Sequence, residues 1–266
     1  MKAIHPYKIP WFEVIVSALG SLVILFIVAP LINMVLAASF ADITQAARDV
    51  EVVQSVKLTI TAAFCATVVS AFAGIPLAYL LARKNFPGRS LVLAIIDLPI
   101  IIPHSAAGIA LLTVIGRQSF LGRTLGTGLT GTAAGISIAM AFVSLPYLVN
   151  GARQAFVSVP KRLENVARTL GASPSYTFFT ISLPLARRGI IGGMILMWAR
   201  GISEFGAVII IAYHPMTTPV MVFQRFNDFG LSYARSVAVL LLMICVGLFA
   251  VLRFVSNVKS ENQTNA

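Results

Sequence analysis

The sequence predicts an all-α fold, a polytopic bundle of about six transmembrane helices, and three observations predict it. Stretches free of Lys, Arg, Asp and Glu recur along the chain, charged residues make up only 11 % of it, and mean hydropathy is +0.90. A soluble domain carries roughly 25 % charged residues. With 58 % hydrophobic residues, this chain has too few charges to solvate a surface around its core. Lipid is therefore the solvent to reason with.

Crossing about 30 Å of hydrocarbon takes about 20 helical residues. No Lys, Arg, Asp or Glu lies between Glu13 and Asp42, Lys57 and Arg83, Asp97 and Arg117, or Arg123 and Arg153. Two further apolar stretches cover Ile190–Tyr213 and Tyr233–Val255. Helices are expected near 12–38, 55–82, 91–115, 132–156, 189–213 and 233–256. Ala-Ala-Ser-Phe-Ala at 37–41 loosely resembles a signal-peptide cleavage site. The apolar run before it exceeds the roughly 7–15 residues of a signal core, so it reads as a retained helix. Residues 42–54 read as a short surface helix outside, and the tail after Lys259 is polar. The chain reads as one transmembrane domain, 1–266, with no internal repeat.

Orientation follows from Lys and Arg. With the N-terminus inside, thirteen of them fall in cytoplasmic segments and six outside, which predicts both termini in the cytoplasm of a multi-pass cell-membrane protein. The net charge of +11 is then a membrane signature, and no basic–aromatic block points to nucleic acid. Cys65 and Cys245 sit in apolar runs and read as small hydrophobes in helices.

The longest cytoplasmic loop is 157–188. Pro160 suits a first helical turn, Leu163, Val166, Ala167 and Leu170 form an apolar stripe, and Gly171 with Pro174 ends the helix. This predicts a short amphipathic helix held against the inner face of the bundle, with Phe178 and Phe179 anchoring the next segment at the interface. On physics alone it reads equally as an interfacial structural element or as a docking site.

The same stretch resembles the cytoplasmic loop of permeases from ATP-binding-cassette importers. Asn165-Val166-Ala167 stands at the Glu-Ala-Ala of that motif, with Gly171, Ile181, Leu183 and Pro184 at the family spacing. Asn165 replaces the acid, with Glu164 one place earlier, and Val166 replaces the first Ala. The docking role carries over, while the acidic role is not assigned to one residue. The resemblance implies a type I importer fold with a coupling helix, its ATPase-coupling residues being Glu164, Asn165, Val166, Ala167, Gly171, Ala172 and Pro174. Ile181, Leu183 and Pro184 would be structural. No Gly-x-x-x-x-Gly-Lys-Ser/Thr loop is present, so ATP and Mg would be used by a separate ATPase.

In the fifth span Arg200 and Glu204 are four apart and share a helix face. Such charges cost about 2.5–3.5 kcal/mol each at mid-bilayer and should face the bundle interior. They read as a structural ion pair or as a pair near a translocation path. Arg200-x-x-x-Glu204-Phe205-Gly206-Ala207, with Asp97-Leu98-Pro99 and Pro103-His104 in the third span and Thr218-Pro219-Val220, resembles the molybdate, tungstate and sulfate branch of these permeases. The Pro-His form points within it to the tungstate/molybdate type.

Gly126-x-Gly128-x-x-Gly131 follows no strand and reads as a flexible turn. His104 reads as a hydrogen-bonded helix histidine, and Asp97 as a cap after a break near Pro99. No metal-ligand cluster or catalytic constellation is visible, so the chain is not expected to be an enzyme or to hold a cofactor. The resemblance implies a homodimer, two ATPase subunits, an external oxyanion-binding protein and alternating access. Ser105, Ser137, Ser144, Asn150 and Ser203 are candidates for the path, the alternative being bonds to their own helix backbones. A sulfate/thiosulfate permease and an ion-gradient-driven secondary transporter are the competing readings.

Overall fold

The computed structural model describes residues 11–124 and 128–261. Among them five helices are long and apolar enough to cross a membrane, and a bent pair makes a sixth if taken as one span. α1 (Trp11–Leu36) is apolar on every side and buries none of its residues within the chain. It touches α13 (Leu231–Glu261) and little else.

The surface helix expected over 42–54 is instead α2 (Phe40–Arg48), and residues from Val50 onward belong to the next span. Asp49 makes the division. Its backbone is extended, and its side chain accepts from the Glu51 N–H at 2.9 Å, capping α3 (Val50–Arg83). Its Oδ2 also accepts from Arg225 Nη2 at 2.6 Å. That bond outweighs the opposing effect of partial burial and holds the Asp49 carboxyl below its ordinary 3.8. A carboxyl depressed by folding contributes stability that is present above its unfolded value and lost as pH falls through its folded value. Asp49→Asn should therefore lower the thermal midpoint at neutral pH. The gap from the parent chain should close as pH is taken below 3.8.

The centre of the bundle is α3 packed on α7 (Ala133–Ser158) and α10 (Leu183–Ile202). Lipid tails are as apolar as leucine, so these helices associate through close packing of small residues. Ala62, Ala63, Ala66 and Ala78 of α3 are buried against Ile136, Met140, Val149 and Phe156 of α7 and their neighbours. Gly151 of α7 meets Gly193 of α10 so closely that a Cβ on Gly151 would lie 2.8 Å from the Gly193 Cα.

The single span expected over 91–115 is a bent pair. α4 (Arg89–Ile101) and α5 (His104–Ile115) meet at 113°. Pro103 has no N–H to continue a helix and forces the preceding residue out of helical space, and Ile102 is extended at φ −72°, ψ 144°. A short α6 (Phe120–Thr124) leads to α7. The span expected over 189–213 is also displaced. Its helix runs unbroken from Pro174 to Ile202, stops, and resumes as α11 (Gly206–Ile211). Leu183 and Pro184, expected in the loop, thus open α10.

α12 (Thr218–Phe229) was not expected from the sequence. It enters the bundle through hydroxyls. The Thr218 N–H donates to Thr59 Oγ1 at 2.8 Å, and the Thr59 and Ser55 hydroxyls lie 3.2 and 3.3 Å from Thr218 Oγ1.

Candidate functional site

Two clusters of charge among the described residues fall on the motifs singled out in the sequence. The first is in the loop expected to carry a docking helix. α8 (Lys161–Thr169) ends in a paired cap, with Gly171 N–H on the Arg168 carbonyl at 3.1 Å and Ala172 N–H on the Ala167 carbonyl at 3.0 Å. Gly171 sits at φ +89°, where a side chain would be strained. Ser173 then caps α9 (Pro174–Thr177), its Oγ accepting from the Tyr176 N–H. A π turn over Phe178–Ser182 joins α9 to α10, with the Leu183 N–H reaching back to the Phe178 carbonyl. Pro184 offers no N–H to the Thr180 carbonyl, and the widened turn accommodates that missing bond.

α8 meets the bundle through charge. The expected apolar stripe does not face inward: Leu163 is 44 %, Val166 49 % and Leu170 83 % exposed. The residue that is buried is Glu164. Its Oε1 accepts from Arg83 Nε and from Ser182 Oγ, both at 2.7 Å, and Arg83 Nη2 also donates to the Val159 carbonyl at 3.0 Å. A carboxylate within reach of the end of α3 fixes the helix, so its apolar stripe is turned outward. Asn165 is exposed beside it, Ile181 is half-buried in the π turn, and Pro174 is exposed. Phe178 stacks edge-on against Tyr79 at 4.8 Å, while Phe179 is exposed.

The second lies where the two interrupted spans cross. Gly206 of α11 passes so near α5 that a Cβ there would lie 2.8 Å from His104 Cβ, and one on Gly108 would lie 2.9 Å from Ile210 Cβ. The Arg200 and Glu204 of the sequence motif do pair, Arg200 Nη2 lying 2.9 Å from Glu204 Oε2. They do not share one helix, because α10 ends at Ile202. Glu204 lies in the break, 1 % exposed, and its Oε1 accepts from the Ala207 N–H at 2.8 Å, capping α11. His104 Nδ1 lies 2.9 Å from the same Glu204 Oε2 and 2.8 Å from Arg200 Nη2. The motif thus supplies a cation, a carboxylate that holds it and caps the next helix, and a glycine that lets α5 approach.

Of the path candidates, Ser105 and Ser203 lie beside this crossing, and the other three are on α7. Ser105 is exposed in the first turn of α5, and Ser203 is exposed at the end of α10 with its hydroxyl donating to the Arg200 carbonyl at 3.0 Å. Ser137 and Ser144 each donate to a carbonyl of their own helix, Ala133 and Met140. Asn150 Nδ2 donates to Asp97 Oδ1 at 2.7 Å. Asp97 therefore braces α4 against α7 and does not cap a helix after Pro99. Cys65 and Cys245 are both free thiols. His214 stacks against Tyr213, and the turn expected around Gly126 lies partly outside the described residues. Nothing in the local sequence marks Arg83, Ser182 or the Ser55–Thr59–Thr218 hydroxyls as partners, since each contact joins distant parts of the chain.

Residues 74–256 match the family of binding-protein-dependent transport system inner membrane components. The chain belongs to that family. As such a permease it is a multi-pass membrane protein and a translocation component. It is 44 % identical over 90 % of its length to a molybdate/tungstate transport system permease protein of Pyrococcus abyssi, 93 % of which is covered. A permease protein of the same description from Methanocaldococcus jannaschii is 40 % identical, with 94 % of this chain and 99 % of that one covered. The permease fold recurs at 15 % identity in a bacterial alginate ABC transporter bound to its periplasmic protein, with a TM-score of 0.70 and 95 % of each chain covered.

Proposed function

We propose that this permease carries molybdate or tungstate across the cell membrane by alternating access, driven by a separate ATPase. The likeness to the two molybdate/tungstate permease proteins is the observation that carries this reading. The chain's own chemistry agrees with it. Arg200 is the cation at the crossing of two interrupted spans, its side chain 20 % exposed, and a guanidinium suits an oxyanion. Its charge is shared with Glu204, so it would hold a passing dianion weakly, as conduction requires.

The outward apolar stripe of α8 is where an ATPase subunit would seat, with Asn165, Val166, Ala167, Gly171, Ala172 and Pro174 at or beside the contact. Glu164 would position this helix from behind. In this reading two copies form a homodimer with two ATPase subunits that use ATP and Mg, and an external binding protein delivers the oxyanion. Both termini lie in the cytoplasm.

The test is accumulation of tungsten, molybdenum and labelled sulfate, at low external concentration, in cells with and without the gene and lacking redundant carriers. Selective loss of tungsten and molybdenum is expected, and their ratio ranks the two. Loss of sulfate alone would move the cargo to sulfate, and unchanged uptake of all three would remove the oxyanion assignment.

A further inference from the structure

Behind α8, on the side away from its apolar stripe, the loop closes a cavity of about 230 Å³ against the end of α3. Its walls include Arg83, Lys84, Lys161 and Arg168, four cations, and a single carboxylate, Glu164. The excess is three positive charges. That carboxylate is already engaged, since its Oε1 accepts from both Arg83 and Ser182. Neither lysine nor Arg168 has a carboxylate partner among the described residues.

Arg83 supplies the second, independent observation. Its side chain is only 6 % exposed, and Nε and Nη2 are taken by Glu164 and the Val159 carbonyl. Its Nη1 is buried and has no acceptor among the described residues. A buried guanidinium nitrogen without an acceptor is costly, and Arg83 is one of the residues that line the positively charged cavity. Guanidinium and ammonium groups arranged so, with the Asn165 amide beside them, match the oxygens of a tetrahedral anion.

We propose that this cavity binds a phosphate-like tetrahedral oxyanion, with the Arg83 side chain at its back and Lys84, Lys161 and Arg168 around it. The same chemistry has two sources: the headgroup of an anionic phospholipid from the adjacent leaflet, or a free oxyanion from solution. Either would sit as a wedge between α3 and the docking helix. The site is separate from the crossing at Arg200 and does not depend on which cargo the permease carries.

The test uses the full-length chain in nanodiscs, alone and with its ATPase partner, and the exposed pair Lys161→Gln/Arg168→Gln, whose loss leaves the Arg83–Glu164 bond in place. Radiolabelled inorganic phosphate is titrated in phosphatidylcholine discs. Retention of phosphatidylglycerol is read by native mass spectrometry from discs containing it. Saturable phosphate binding weakened at least tenfold in the double variant identifies a free oxyanion. Retained phosphatidylglycerol that the double variant loses identifies the lipid headgroup. Binding of neither probe by the parent chain overturns the proposal, as does equal binding by the variant. Binding abolished when the ATPase is added also overturns it, because the cavity would then be an ATPase contact. Arg83→Gln gives a second reading: with a thermal midpoint still measurable, it should also abolish the phosphate or lipid signal.

Discussion

Glu164→Ala should destabilise the folded chain by about 3–5 kcal/mol, the range for removing one member of a buried ion pair. Arg83 is 6 % and Glu164 10 % exposed in their side chains, so the guanidinium left behind has little access to water. The Ser182 hydroxyl loses its acceptor at the same time. The thermal midpoint of the full chain in detergent reads the effect. Replacing both members, Arg83→Met with Glu164→Leu, should recover most of the loss, since no charge is then stranded. A single variant that melts within a degree of the parent would mean that α8 is held by something other than this pair.

Gly151→Leu should be among the most damaging substitutions within the spans. A Cβ at 151 would meet the Gly193 Cα at 2.8 Å, and what must yield is backbone. Overpacking a well-filled core costs about 1–3 kcal/mol and sometimes more. Here a whole isobutyl group enters the contact between α7 and α10, so the upper end is expected. The adjacent pair Gly192 and Gly193 supplies a control within one helix. A Cβ on Gly193 would lie 3.2 Å from the Leu148 carbonyl oxygen, while one on Gly192 meets nothing within 4 Å. Gly193→Leu should lower the thermal midpoint and the yield of folded chain in the membrane, and Gly192→Leu should leave the midpoint unchanged. Equal effects at 192 and 193 would show that this close approach is not what the glycine serves, since by helix propensity alone both replacements are favourable.

The spans were legible wherever the property that makes them is local. α1, α3, α7 and α13 were placed by their long apolar runs, although α3 and α13 extend through charged residues such as Lys57 and Arg253. The breaks were less visible. A break was expected near Pro99, but Pro99 lies inside α4 and the 113° bend comes at Ile102–Pro103, where the surrounding apolar residues continue the pattern of a single crossing. α12 was missed because Gln224, Arg225, Asn227 and Asp228 make its second half look like a loop, and its anchors Thr59 and Thr218 are 159 positions apart. The site divided in the same way. The Arg200–Glu204 pairing was visible as a spacing of four, and the cap at Gly171 as a turn residue after an amphipathic stretch. The direction in which α8 faces was not. Hydrophobic periodicity predicts that the apolar side goes inward, and a contact between residues 83 and 164 reverses it.

That reversal gives the loop a mechanical character. Glu164 Oε1 is bonded at once to Arg83, at the end of α3, and to Ser182, on the turn that opens α10. A load applied to α8 therefore reaches α3 and α10 together through one carboxylate, besides its short covalent link to α7. Because those spans both lie against α7, a small rotation of a nine-residue lever would shear the pair together along α7 instead of bending either one.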